Sequence, residues 1–295
     1  MKIVVHDTAS AMLDLLQRPL DERPDALREI LSPLRSAMSP MGDVDPVQMH
    51  QQGSGFRLDR DDPRYVPALR RMQDAGVWER IEETLTTAWE RIGAAAPGIR
   101  HADTVHVVLV LGNPDDEHLM GRSAGYFGMG GFPGAIHLTM WPTEHSLQKI
   151  VCGAAHELHH NVRYANVVWN PTAVTVGEYV VAEGLAEAFV RELVGEQGMG
   201  HWSKALTGAP LDRAYEKITA DIDVAGMQNL TAYVLGDATA QLMGQQPVGL
   251  PDFAGYAVGL RIVDAHLSAS GLSAAESTAL PAREILGNAG VPTGA

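Results

Sequence analysis

Apolar residues recur at helical spacing over 8–17 and 24–38, with Leu13, Leu16, Leu27, Ile30, Leu31 and Leu34 as anchors. Pro33 has no N–H to donate and crowds the preceding turn, so it should break or kink the second segment. Residues 39–64 are rich in Pro, Gly and Asp and read as a long loop or a boundary between lobes. Helical spacing returns from about Val66 to Ile92, with Trp78, Leu85 and Trp89 on the apolar side. Ile3-Val4-Val5 reads as a short strand.

The pattern changes at Thr104. Val105 to Leu111 is a β-branched apolar run closed by Gly112-Asn113-Pro114, which predicts a strand. The glycine-rich stretch Gly125–Gly134 lacks the Gly-Lys-Ser/Thr ending of a phosphate loop, so it is read as a hairpin. It leads into a run where Ile136, Leu138 and Met140 alternate with His137, Thr139 and Trp141, as in a half-buried strand. Later helical regions fall at about 211–222, 230–242 and 252–267.

Between these regions, residues 152–161 contain His156-Glu157-Leu158-His159-His160. From Ser146 to Tyr164 there is no proline, and Gly153 is the only glycine, so a helix is expected. At about 100° per residue, His156 and His160 lie about 40° apart on one face, and both imidazoles can reach one metal ion. Glu157 flanks that face, where a carboxylate can deprotonate a water. Val151, Ala154, Ala155, Leu158 and Val162 fall on the other side and pack. Neutral nitrogen ligands, an open position and an adjacent base are what a zinc hydrolase needs. The His-Glu-x-x-His motif is known from metalloproteases. With 12 histidines in the chain, three fixed letters also arise by accident, so the context must supply a third ligand.

Glu178 to Val190 reads as the helix that supplies it. Glu183 and Glu187 share a face there, Glu178 points away, and Val180, Ala182, Leu185, Phe189 and Val190 make the rest apolar. Acids in such a helix are buried only when paired or bound to metal; otherwise they form an exposed stripe. Glu183 is read as the third ligand. Glu187 is read as an acceptor from a ligand histidine N–H, fixing its tautomer. His159 either competes as a ligand, or bonds locally or lines the cleft, and Cys152 is read as a small packed residue. Asn161 and Arg163 are read as helix-surface residues or substrate contacts.

His156-Glu157-x-x-His160 followed by Glu183-x-x-x-Glu187 resembles the thermolysin-type, or gluzincin, arrangement. There a glutamate of the second helix completes the site and an acid four residues later supports the first histidine. Glu187 stands where thermolysin-like enzymes carry aspartate. More closely, His-Glu-Leu-His-His at 156–160, Glu-Gly-Leu-Ala-Glu at 183–187 and Gly255-Tyr256-Ala257-Val258-Gly259 resemble the YjaZ-like group, a bacterial family of predicted Zn-dependent proteases. The resemblance covers residues 100–270 or so and not the N-terminal third. Tyr256 falls within it. A phenol can donate to an oxyanion, so Tyr256 is named for that role, with His266 and His201 as weaker candidates. Zincins keep a sheet edge that pairs with an extended peptide shortly before the motif helix, so the resemblance implies that role for the strand at 135–141; an ordinary inner strand is the equal alternative.

Composition narrows the partners. The 295 residues are 45% hydrophobic, enough for one sizeable core or two lobes. A net charge of −14 disfavours nucleic acid and anionic membranes. A single cysteine gives no internal disulfide and suits a reducing compartment. No cationic segment leads a long apolar run at the start, and no stretch approaches a membrane span, so a cytoplasmic location is expected.

The expected fold is α+β and zincin-like: a small mixed or antiparallel sheet, an active-site helix and a mostly helical additional lobe. Residues 1–100 would form that lobe, 101–286 the catalytic domain and 287–295 a flexible tail. Zn2+ would be held by His156, His160 and Glu183, with Glu157 as base towards a peptide or protein substrate. The alternative is a zincin-fold protein that binds zinc and a partner peptide without proteolysis. Intact Glu157 favours the enzyme.

Overall fold

The apolar run at 105–111 forms an inner strand of a mixed sheet. A computed structural model describes residues 1–39, 42 and 44–294. Four strands, β1 (Lys2–Val5), β2 (Thr104–Leu111), β3 (Tyr126–Phe132) and β4 (Ala135–Met140), lie in the order β1-β2-β4-β3. β1 and β4 run parallel to β2, while β3 is antiparallel to β4. Val107 to Leu111 are wholly buried, as in a strand covered on both faces. Of the two placements open for residues 135–140, the inner one is realised, and β3 is the edge. The hairpin between β3 and β4 turns at Gly134, whose φ of +100° suits glycine.

The chain folds as two compact units. The first holds residues 1–90 and 100–161. It contains the sheet with α1 (Thr8–Gln17), α2 (Arg23–Leu31), α3 (Arg35–Met38), α4 (Pro46–Gln52), α5 (Tyr65–Asp74), and the N-terminal parts of α6 (Val77–Ala95) and α7 (Glu144–Asn166). Pro33 acts as expected: α2 stops at Leu31, a 3-10 turn spans Ser32–Leu34, and α3 resumes beyond it. α4 is a helix within the segment read as loop. Asp45 caps it by accepting from Val47 N–H at 3.1 Å, and Pro46 occupies its first turn. Residues 40, 41 and 43 of that segment, and 295 of the expected tail, lie outside the described residues.

Pairing fixes what each face of the sheet meets. Gly128 of β3 is opposite Leu138 of β4, and a Cβ at Gly128 would point into Glu157 of α7. Ile136, Leu138 and Met140 therefore face α7, and His137 and Thr139 face the other way, since side chains alternate along a strand. The Ser32–Leu34 turn packs on β2 and β4.

The second unit holds residues 91–99 and 162–295. It contains the ends of α6 and α7, then α8 (Val176–Val194), α9 (Gly208–Ala220), α10 (Thr231–Val234), α11 (Asp237–Leu242), α12 (Ala254–Ser270) and α13 (Ala282–Asn288). α8 is buried from Val180 to Val190 because α12 lies directly against it. Two glycines permit that approach. A Cβ at Gly184 would sit 2.2 Å from the Gly259 carbonyl oxygen, and one at Gly259 would sit 2.0 Å from that of Val180. Among the described residues, no helix is long and apolar enough to cross a membrane.

Candidate metal centre

α7 opens with a reciprocal cap. Thr143 N–H donates to Ser146 Oγ at 2.9 Å, and Ser146 N–H donates to Thr143 Oγ1 at 3.0 Å. Further along, Ala154, Ala155, Leu158 and Val162 pack as their spacing predicts. The opposite face is buried as well: His156, Glu157 and His160 are 4%, 9% and 5% exposed, and His159 is fully enclosed. Buried polar groups must be satisfied by partners, and the motif residues converge. His156 Nε2 and His160 Nε2 are 2.9 Å apart, with the rings 4.6 Å between centroids and near perpendicular.

Glu183, on α8, is buried too. One nitrogen from each histidine and one Glu183 carboxylate oxygen all lie within 4.8 Å of one another. Two imidazoles and a carboxylate gathered in this way are the donor set of a zinc site with one position left for water or substrate. The residues present fit the ion.

Glu157 is fixed by the sheet. Its Oε2 accepts the Gly130 N–H at 2.6 Å. A Cβ at Gly130 would lie 2.2 Å from the Glu157 carbonyl oxygen, and one at Gly128 would lie 2.5 Å from Glu157 Cγ. The glycines of the hairpin are therefore what let β3 come against α7 at the motif. Asn161 locks the same hairpin. Its Nδ2 donates to the carbonyls of Gly130, Phe132 and Ala135, and its Oδ1 accepts from Gly134 N–H at 2.9 Å.

Asn161 and Arg163 are thus buried positioning groups rather than surface residues. Arg163 is fully enclosed, pairs with Glu178 at 2.7 Å and donates to the carbonyls of Thr278 and Leu280. Glu178 is thus engaged by the Arg163 guanidinium. Thr175 caps α8 through the Glu178 N–H. Glu187 accepts Gly200 N–H at 2.8 Å and Trp202 Nε1–H at 2.7 Å. A carboxylate has lone pairs for further donors beyond these two.

Tyr256 is half-buried in the first turn of α12, its ring 6.0 Å from Trp202 and 6.1 Å from Phe253. His201 stacks edge-on against Trp202 and Phe253. His266 is enclosed: Nε2 lies 3.0 Å from Ser277 Oγ and Nδ1 lies 3.1 Å from Asn288 Nδ2, so it serves packing there. Cys152 is half-buried on α7.

Three aromatic residues were not singled out by the sequence reading. Tyr164 lies one turn after His160, Tyr179 one turn before Glu183, and Trp169 packs on both, at 4.1 Å and 5.7 Å between centroids. Burial, and after it the charge of Glu183, hold the Tyr164 phenol well above its ordinary pKa. The four-residue spacing of Tyr164 from His160 and of Tyr179 from Glu183 was the available signal.

Residues 77–287 match the family described as "Predicted Zn-dependent protease (DUF2268)". The chain belongs to this YjaZ-like family. The match is wider than the 100–270 carried by the three motifs. Two proteins of Bacillus subtilis (strain 168) are similar to the chain. The uncharacterized protein YjfC is 37% identical over 176 residues, which are 60% of this chain and 59% of that protein. The uncharacterized protein YjaZ is 33% identical over 132 residues, 44% of this chain and 47% of that protein. The chain therefore spans less than two thirds of either relative. No solved structure matches it significantly.

Proposed function

We propose that the chain is a zinc metallopeptidase of the gluzincin type that hydrolyses peptide bonds with Glu157 as general base. The observation that carries this reading is the buried gathering of His156, His160 and Glu183, with Glu157 next to His156 on the same helix. His156, His160 and Glu183 would hold the ion. Bound zinc supplies a Lewis acid that polarises the scissile carbonyl and makes a water more acidic.

The chain's own residues do the rest. Glu157 takes a proton from the attacking water and passes it to the leaving amine. The Gly130 N–H holds the carboxylate in place, so the base does not have to be ordered when substrate arrives. An extended peptide added to edge strand β3 would run close to that carboxylate, with main-chain hydrogen bonds giving affinity. Glu187 accepts a ligand histidine N–H in addition to its two present donors, and Tyr256 donates to the oxyanion. A peptide or protein substrate, no nucleic-acid or membrane partner and a cytoplasmic location complete the reading, in keeping with a net charge of −14.

The test combines elemental analysis under mild chelation with hydrolysis of casein and quenched peptide libraries. Wild type should carry about one zinc, and His160→Ala should lose it. Glu157→Gln should keep zinc and lose at least about a hundredfold in hydrolysis. A folded wild type that takes up no supplied zinc, or an active Glu157→Gln, overturns the proposal. Zinc without hydrolysis of any substrate would favour the non-proteolytic binding protein instead.

A further inference from the structure

A cavity of about 590 Å³ lies within the first unit, on the face of the sheet turned away from α7. Its wall is formed by Leu31 and Leu34 at the end of α2 and in the turn after it, Met38 of α3 and Met49 of α4. His137 reaches it from β4, at one of the strand positions that face away from the metal centre, and His50 reaches it from α4. The volume is that of a small-molecule site and far exceeds the space of a single cation.

The histidines give the cavity a polar inner end. Both are buried, at 1% and 7% exposure. His50 Nε2 lies 2.9 Å from the Phe56 carbonyl oxygen, which can only accept, so the proton sits on Nε2 and Nδ1 offers a lone pair. Among the described residues, His50 Nδ1 and His137 Nε2 have no hydrogen-bond partner. Unmet polar atoms at this depth are costly to the fold unless a bound molecule answers them. Burial pushes both imidazoles down to about 4, so they are neutral donors or acceptors and not cations.

The outer end is cationic. Arg28 lines the cavity but is held by Asp25 and Asp45. Arg35 also lines it, is exposed, and has no carboxylate partner among the described residues. Asp45 stands in the same wall, which disfavours a doubly charged head group such as phosphate.

We propose that this cavity is a binding site for a small amphipathic monocarboxylate carrying a hydroxyl at its far end. The carboxylate pairs with Arg35, the aliphatic body lies along the leucines and methionines, and the hydroxyl donates to His50 Nδ1 beside His137. The site is separate from the metal centre and does not depend on the proposed peptidase activity.

Isothermal titration of the full chain with 10-hydroxydecanoate, decanoate and 1,10-decanediol tests this. 10-Hydroxydecanoate should bind one per chain, at least about tenfold more tightly than the diol, because the diol lacks the charge for Arg35. It should also bind more tightly than decanoate, and His137→Phe should reduce that preference. Arg35→Met should weaken 10-hydroxydecanoate about tenfold. Met38→Trp, at a half-buried wall position, should block both acids while thermal unfolding stays near that of wild type. Binding should persist in His160→Ala, which rules out carboxylate capture by the metal. No saturable binding of 10-hydroxydecanoate up to about 1 mM overturns the proposal. So does equal affinity in Arg35→Met and Met38→Trp, or loss of binding in a folded His160→Ala.

Discussion

Glu178 and Glu183 sit five residues apart on one helix and have opposite fates. Glu183 meets the two histidines, while Glu178 neutralises the fully buried Arg163. Removing Glu178 strands a guanidinium in the interior, so Glu178→Ala should cost about 3–5 kcal/mol in urea unfolding. Glu183→Ala should leave the metal-free fold closer to wild type but weaken zinc strongly in a metal titration. If a folded Glu178→Ala loses as much zinc affinity as Glu183→Ala, Glu183 is not a ligand. Spacing made His156, Glu157, His160 and Glu183 legible as a group, since helical geometry alone brings such positions to one face. Asn161 and Arg163 were not legible, because their partners lie near 130–135 and 278–280, distances no local pattern encodes. Gly128 and Gly130 were visible as glycines, but the carboxylate they make room for was not.

At the scale of elements, periodicity located most helices, and Pro33 placed the break after α2 correctly. It missed α4, whose Asp-Pro start looks like loop chemistry until the cap is seen. That helix carries His50, and the inner position of β4 buries His137, so a property of the fold follows from both. Each imidazole falls from 6.5 to about 4, chiefly by burial. Between those values the unfolded chain binds a proton at each site and the folded chain does not, so stability rises with pH. It is fully present above about pH 6.5 and is lost as pH falls towards 4. From pH 7.5 to pH 5 the loss is about 2 kcal/mol for each histidine. Urea unfolding of zinc-free wild type and His137→Asn over that range checks it. The variant should lose less stability on acidification, and superimposable pH profiles would refute the assignment.

The folding unit and the family-matched segment are different things in this molecule. The family covers 77–287, yet the unit that holds His156, Glu157 and His160 also includes residues 1–76. β1 pairs with Thr104–Val107 of β2, and without it that stretch of β2 is an unpaired edge. Thr8 of α1 donates to the Leu109 carbonyl and receives the Trp78 indole N–H, so α1 is tied to the sheet by buried polar bonds. Met12, Leu15, Leu27, Phe56, Tyr65, Leu69 and Met72 are almost wholly buried, and all of them precede the matched segment. Each such side chain contributes about 1.5–3 kcal/mol by burial, and together they rival the about 5–15 kcal/mol that holds a typical domain. A chain limited to 77–287 should therefore lack a cooperative thermal transition, bind a hydrophobic dye and hold zinc far less tightly than the full chain. The physical reason is that β2, β4 and the Glu157-bearing turn of α7 take their positions from a sheet whose other face those first residues cover. A sharp melt and full-strength zinc binding by 77–287 would show instead that the metal centre is organised by α7 and α8 without that support.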